Sequence, residues 1–350
     1  MSDQVRLPVE GLQTFMVQVL HKAGVPVADG ECVAANLIKA DLWGVGTHGI
    51  SRFPRYLMRL GNGTINCRPQ ISIQNTWPAV IAVDGDNGLG AVVGSRALQA
   101  AMDSAGRSGI CVAGVRNSNH FGAAGYYCEL AARGNYVALV LTNALAAMPP
   151  WGGKSAVLGT NPVAIGLPRK NKEPVVIDLA TSVVARGKII AAAKQGIAIP
   201  VGWALDEDGR PTTDPEAALK GMILPMAGPK GYALALAVDH LSGVFTGAAF
   251  GKNVASYSSG QKQANMGHLI IVMKADAFLG LDSYYERAEA FLQQVKTGER
   301  AAGITEIYLP GEREQNTEKQ TLTTGVSVPA GLLSELKAIS ADFGVPLYSG

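Results

Sequence analysis

Charge is scarce in this chain. Only 17% of its 350 residues are Asp, Glu, Lys or Arg, below the roughly 25% of an average soluble protein. Thirty basic residues against 28 acidic ones leave a net charge of +2. No run of five or six like charges occurs, which excludes the electrostatic footprint of a nucleic-acid binder or of a protein drawn to anionic membranes. No stretch reaches the ~18 uninterrupted apolar residues of a membrane span. The opening MSDQVRLPVEGL has no basic segment leading into an apolar one, so an unexported, cytoplasmic chain is expected. Cysteine is rare as well. Cys32, Cys67, Cys111 and Cys128 form no C-x-x-C pair and have no paired histidine spacing, which argues against a metal site or a disulfide scaffold and predicts reduced, mostly buried thiols. What is abundant is apolar residues, 47%, and glycine, 42 positions. That composition suits a globular chain with ample core and a small molecule as its ligand.

The first sixty residues read as helices. Leu12, Phe15, Met16, Val19 and Leu20 fall on one helical face, which Gly24 and Pro26 end. A second helix is expected from Asp29, as N-cap, through Val33 and Leu37 to about Leu42. A third carries Arg52, Arg55 and Arg59 on one side before Gly61-Asn62-Gly63 stops it. From about residue 70 short β-rich runs alternate with glycine turns and helices: ISIQ, AVIAVD, ICVAGVR, YVALVLT, PVAIGLP, PVVIDLA, HLIIVM and TEIYLP. Helices are expected near 91–106, 123–134, 183–196, 229–244 and 282–297. The segment 311–325, charged and without apolar period, reads as a surface loop before a last helix from Pro329 to Phe343. The pattern predicts an α/β protein in three parts: an N-terminal helical domain at 1–69, an α/β domain at 70–285, and a C-terminal helical segment at 286–350 packing with the N-terminal domain.

After the strand AVIAVD, Gly88, Gly90 and Gly94 imitate the glycines of a dinucleotide-binding Rossmann turn. The confirming acid, however, belongs at the end of a second strand about 20 residues on. The candidate, Asp103, falls in the middle of a helix, so these glycines are expected to serve close packing of strand and helix.

Of five histidines, His21 and His240 fit helical patterns and His268 stands before the strand LIIVM with no titratable neighbour. His48 and His120 remain, both in loops dense with glycine and small polar residues. His48 and Arg52, at i and i+4, share a face if helix starts there. An imidazole exchanges a proton near neutral pH and a guanidinium offers a two-pronged fork to a carboxylate, a combination suited to a small 2-oxo or 2-hydroxy acid. His120 follows a strand end, a usual ligand position in α/β sheets. Gly159-Thr160-Asn161-Pro162 and the run from Ile177 to Ser182 each place small hydrogen-bonding residues at a strand end, and Lys230-Gly231 puts a lysine at a helix start where it could anchor a diphosphate; each alone also fits a simple turn.

The runs G-T-H-G-I-S-R-F-P-R-Y (46–56), N-S-N-H-F-G-A-A-G-Y-Y (117–127), G-T-N-P-V-A (159–164), D-L-A-T-S-V-V-A-R-G-K (178–188), T-T-D-P (212–215) and G-P-K-G-Y (228–232), in this order, resemble the type-2 malate/L-lactate dehydrogenase family. That family includes ureidoglycolate and sulfolactate dehydrogenases, diketogulonate reductases and piperideine/pyrroline-2-carboxylate reductases. The resemblance spans residue 8 to about 312. It implies a mixed sheet flanked by helices, a non-Rossmann fold for NAD or NADP, and a homodimer. It also implies roles: His48 and His120 catalytic; Arg52, Thr47 and Asn143 at the substrate; Thr160, Asn161, Val176, Ile177, Asp178, Leu179, Ala180, Thr181, Ser182, Lys230, Gly231, Gly311 and Glu312 at the cofactor. Thr47 stands where many members have serine, adding a methyl. The expected reaction is hydride transfer between NAD(P)H and C2 of a small 2-oxo acid. A cyclic 2-imino acid reductase is the alternative, and a non-catalytic NAD(P)-binding regulator a third reading.

Overall fold

In the computed structural model, residues 4–255 and 262–347 are described. Strand β1 (Gln4–Leu7) leads into α1 (Val9–Lys22), whose Leu12, Phe15, Met16, Val19 and Leu20 are all buried, as their spacing predicts. Helix α2 (Val27–Leu42) begins directly after Pro26, earlier than expected. Asp29 is therefore not its cap; it sits in the first turn, with its carboxylate 2.7 Å from Arg96. A 3-10 turn at Ile50–Arg52 opens α3 (Phe53–Gly61). The arginines here differ in burial. Arg55 is exposed, whereas Arg59 is fully buried and donates to the Lys262 carbonyl at 3.0 Å.

The sheet is built from β2 (Ser72–Trp77), β3 (Val80–Asp84), β4 (Ile110–Ser118), β5 (Tyr136–Thr142), β6 (Val163–Leu167), β7 (Val175–Leu179) and, much later in the chain, β11 (Met266–Lys274). Their order is β2-β3-β4-β11-β5-β6-β7. Only β3 and β4 run parallel; every other pair is antiparallel. A doubly wound dinucleotide fold needs parallel strands, so the sheet itself is the mixed, non-Rossmann one expected. Helices α4 (Gly90–Ser108) and α5 (Ala124–Arg133) pack on it through small residues, Ala97, Ala101 and Ala131 meeting Ala113, Val115 and Val140.

Between β7 and β11 lie α6 (Arg186–Gln195), a small three-stranded sheet of β8 (Ala204–Leu205), β9 (Pro211–Thr212) and β10 (Met222–Ile223), α7 (Pro215–Lys220), and α8 (Pro229–Asp239) running into a π turn at His240–Val244. After β11 come α9 (Leu281–Lys296), α10 (Glu312–Thr324), β12 (Val326–Pro329) and α11 (Ala330–Phe343). The two ends of the chain meet: β1 pairs antiparallel with β12, and Val328 and Leu336 join Leu12, Phe15 and Val19 in one core. The expected boundary at 285/286 falls inside α9, whose Leu292 packs with Val175 and Leu309.

Three further expectations are corrected. TEIYLP (305–310) is not a strand; it has no regular structure and pairs with no strand, and Leu309 is buried beside Val175. The segment 311–325 is not a loop but α10. No residue of α10 is buried, so it carries no hydrophobic period to read. Polar bonds hold it: Glu318 accepts from Lys39 at 2.8 Å and from Trp43 at 3.0 Å, and Gln315 donates to the Pro174 carbonyl at 2.8 Å. His268 lies within β11 rather than before it.

The Rossmann-like glycines do pack closely. A Cβ at Gly90 would stand 2.3 Å from the Asn119 carbonyl oxygen and 2.4 Å from that of His120; one at Gly94 would meet the Tyr127 ring at 2.9 Å. The first turn of α4 is thus pressed against the loop that carries His120. Overpacking typically destabilises by about 1–3 kcal/mol. Gly90→Ala is expected to lower stability by that amount in thermal denaturation, while Gly331→Ala, inside α11 and with nothing within 4 Å of its new methyl, does not lower it. An unaltered melting temperature for Gly90→Ala contradicts the packing role.

Candidate active site

The turn after α2, the loop after β4, the ends of β5 and β7, the start of α6 and the start of α10 enclose a cavity of about 1240 Å³. Single-ligand pockets run about 300–1,000 Å³, so there is room for a dinucleotide beside a small acid. His48 and Arg52 line one end together with His120.

Local contacts fix each of these groups. Asp41, in the last turn of α2, accepts the Ile50 N–H at 2.7 Å, and Gly49 lies so close that a Cβ there would be 2.0 Å from the carboxyl. Burial pushes this carboxyl up to about 7. The turn so pinned presents His48, with Nδ1 3.0 Å from the Thr47 hydroxyl. Arg52 donates through Nε to the Thr47 carbonyl. The His48 and His120 rings stack with centroids 5.4 Å apart and planes 24° from parallel. Tyr56, one helical turn beyond Arg52, places its hydroxyl 2.7 Å from His120 Nδ1. The Gly122 N–H also points to that nitrogen, at 3.4 Å, making it an acceptor and assigning the ring proton to Nε2.

Desolvation sets the charge state. Burial, reinforced by the positive charge of Arg52, pulls His48 down to about 4. Burial, then His48, Arg52 and His268, holds His120 well below the usual histidine range. Both rings are therefore neutral at pH 7, while Arg52, lowered by burial, still carries its charge.

At the other end, Thr160, Val176, Ile177, Asp178, Leu179, Ala180, Ser182 and Gly311 line the wall. Asp178 faces the cavity and accepts the Gly125 N–H at 2.8 Å; burial, with Glu314 adding, raises its carboxyl to about 6. Gly311 has φ +88°, a conformation that favours glycine, and a Cβ there would stand 3.1 Å from the Val176 backbone. Thr47 also lines the cavity, its methyl against Gly187. Asn143 lines it too, but its amide is engaged with backbone, accepting from Gly267 at 3.0 Å and donating to Ala249 at 2.6 Å.

The remaining candidates stand behind the wall or away from it. Asn161 is buried, bonded to Ala144 and Ala235. Thr181 is buried with its hydroxyl on the Thr160 carbonyl. Lys230 is exposed, Gly231 is wedged against the Met226 carbonyl, and Glu312 ties Lys296 to the Leu309 N–H. Sequence reasoning missed Asp41, Tyr56, Arg313 and Glu314. Tyr56 had a signal, its i+4 spacing from Arg52; the last two were hidden by reading α10 as a loop.

Nitrogen NMR of the free protein is expected to show His48 still neutral at pH 5.5. Replacing Arg52 by Gln should raise its midpoint, because a repelling positive charge is removed. A midpoint near 6.5 in the unaltered protein contradicts the desolvated site.

A family profile of malate/L-lactate dehydrogenases matches residues 7–337. The chain is 41% identical to the L-sulfolactate dehydrogenase of Methanocaldococcus jannaschii over 97% of both chains. It is 37% identical to the malate dehydrogenase of Pyrococcus horikoshii, over 98% of this chain and 97% of the relative. Identity to the (2R)-3-sulfolactate dehydrogenase (NADP(+)) of Chromohalobacter salexigens is also 37%, over 94% and 96%. Among solved structures, the sulfolactate dehydrogenase from Methanocaldococcus jannaschii superposes with a TM-score of 0.93 at 40% identity, covering 98% of each chain. The delta1-piperideine-2-carboxylate reductase from Pseudomonas syringae gives 0.86 at 30% identity, covering 96% of this chain and 99% of that one. Matched by its sequence over almost its full length and by its fold, the chain belongs to the malate/L-lactate dehydrogenase family and is an NAD(P)-dependent dehydrogenase.

Proposed function

We propose that this dehydrogenase exchanges a hydride between NAD or NADP and C2 of a small 2-hydroxy or 2-oxo acid of the malate or sulfolactate type. The observation that carries the proposal is the pair of stacked imidazoles beside a half-buried arginine at one end of a cavity with room for two ligands. The relatives named above act on such acids by their names. Membership of a dehydrogenase family disfavours the non-catalytic regulator.

The wall suits a dinucleotide. Gly122, Ala123 and Ala124 bring bare backbone and the N-terminus of α5 to the cavity, and Asp178 faces it with a carboxyl that can accept from a ribose hydroxyl. Leu179, Ala180, Gly311 and Arg313 complete the set. When bound, NAD(P) supplies or accepts the hydride.

Arg52 clamps the substrate carboxylate, fixing C2 in place. That anion also neutralises the charge that depresses His48, so substrate binding lifts the imidazole toward a working range. His48 accepts the hydroxyl proton in oxidation and returns it in reduction. His120, protonated on Nε2 and held by Tyr56, directs a donor to the same oxygen. The neutral rings keep the end of the cavity free of competing charge until the acid arrives.

A cyclic imino acid is the second reading, supported by the structural likeness to the piperideine-2-carboxylate reductase; there the proton goes to nitrogen. We also propose a cytoplasmic homodimer. Trp77, Phe278 and Phe291 are 72%, 91% and 63% exposed, large apolar groups that a second copy would cover. Sedimentation of a fully active monomer contradicts it.

NADH and NADPH oxidation with oxaloacetate, sulfopyruvate and pyruvate, against piperideine-2-carboxylate, tests the substrate class; turnover of the imine alone overturns the 2-oxo acid. A charge-assisted hydrogen bond is worth about 1.5–3 kcal/mol. Arg52→Ala is therefore expected to lower kcat/KM about 10- to 100-fold, with Arg52→Lys intermediate and cofactor affinity unchanged. Weaker NAD(P)H binding with an unchanged 2-oxo acid KM removes the arginine from the substrate.

A further inference from the structure

Behind the paired imidazoles stands a third histidine that the proposed chemistry does not use. His268 is completely buried in β11. Both of its ring nitrogens meet hydroxyls from the flanking strands: Nδ1 is 2.7 Å from Thr142 Oγ1, at the end of β5, and Nε2 is 2.8 Å from Ser118 Oγ, at the end of β4. The Thr142 hydroxyl donates to the Gly267 carbonyl at 3.0 Å. It therefore accepts from Nδ1–H, and Nε2 takes the Ser118 proton. One neutral tautomer satisfies the whole set.

The ring is also part of a stack. Phe121 lies flat on His268, centroids 4.1 Å apart and planes within 3°. Tyr127 covers the Phe121 ring at 4.7 Å and donates its hydroxyl to the Phe121 carbonyl at 2.6 Å. Phe121 follows His120 directly. On its other sides the His120 turn is bounded by the bare Gly90 of α4 and by the Tyr56 hydroxyl.

We propose that His268 is a positioning residue: by clamping the ends of β4 and β5 and stacking on Phe121, it fixes the turn that holds His120 against His48. The proposal rests on the reading of His48 and His120 as the proton-exchanging pair. A role in packing alone would be met by an apolar side chain between apolar neighbours, whereas here three polar side chains, His268, Ser118 and Thr142, are buried together beside Phe121. Small displacements at a reacting centre are expensive; about 1 Å can reduce turnover by ~10²-fold.

Steady-state kinetics of His268→Phe and His268→Gln, with His120→Ala as reference, test this. The Phe variant keeps a ring on Phe121 but loses both hydroxyl partners; Gln retains a hydrogen-bonding amide. For His268→Phe, kcat is expected to fall about 10-fold or more, with the 2-oxo acid KM and NADH affinity within about threefold. The acid limb of the kcat/KM profile for hydroxy acid oxidation should move to higher pH, because a loosened, wetter pair protonates more readily. His268→Gln should lie between this variant and the unaltered enzyme. An unchanged kcat and pH profile overturns the proposal, and so does a parallel loss of kcat, KM, NADH affinity and melting temperature, which marks a structural residue only. If the Phe variant does not fold, the Gln variant decides by the same criteria. Unimpaired turnover in His120→Ala would instead remove the reading on which the proposal stands.

Discussion

Two imidazoles from different layers of the molecule touch, and the rest of the site depends on that contact. His48 comes from the helical layer and His120 from the end of a sheet strand, so their stacking at 5.4 Å requires the two layers to be held in fixed register. Asp41 under Gly49 holds one side. Gly90, by having no side chain, lets α4 hold the other. Neither contact lines the cavity, yet both decide where an imidazole stands.

Burial gives this contact its chemistry. In water an imidazole titrates near neutrality and a pair beside an arginine would be ordinary. Here desolvation and the Arg52 charge keep both rings neutral, and an anion on the same guanidinium relieves part of that penalty. In the proposed reaction, substrate charge and proton exchange are thereby coupled through one side chain. At the far end Asp178 is lifted by the same desolvation, with Glu314 reinforcing it through like charge.

Much of this was legible in the amino-acid order because local rules agreed with the fold. The stripe on α1, the β-rich runs and the failed Rossmann turn were each decided by spacing or context. His48, Arg52 and His120 stand in or beside glycine-rich loops that single them out in the sequence, and the fold brings them to one end of the cavity. What escaped had no local signature. Helix α10 buries nothing and is held by Lys39, Trp43 and the Pro174 carbonyl from distant segments, so hydrophobic periodicity could not reveal it. His268 looked isolated because its partners, Ser118 and Thr142, are 150 and 126 residues away. Asn161, Thr181 and Glu312 stand in motifs that point to a ligand, whereas their side chains bond the backbone around the cavity.

The central claim is that a 2-oxo acid lies on Arg52 with its C2 oxygen at the histidine pair, beside a dinucleotide along the wall from Val176 to Ser182. A crystal structure with NADH and the unreactive 2-oxo acid isostere oxamate tests it most directly. The expected result is the carboxylate paired with the Arg52 guanidinium and the adjoining oxygen within hydrogen-bond distance of His48 or His120. A diphosphate seated on the turn from Gly85 to Gly94, or a carboxylate bound away from Arg52, contradicts the account.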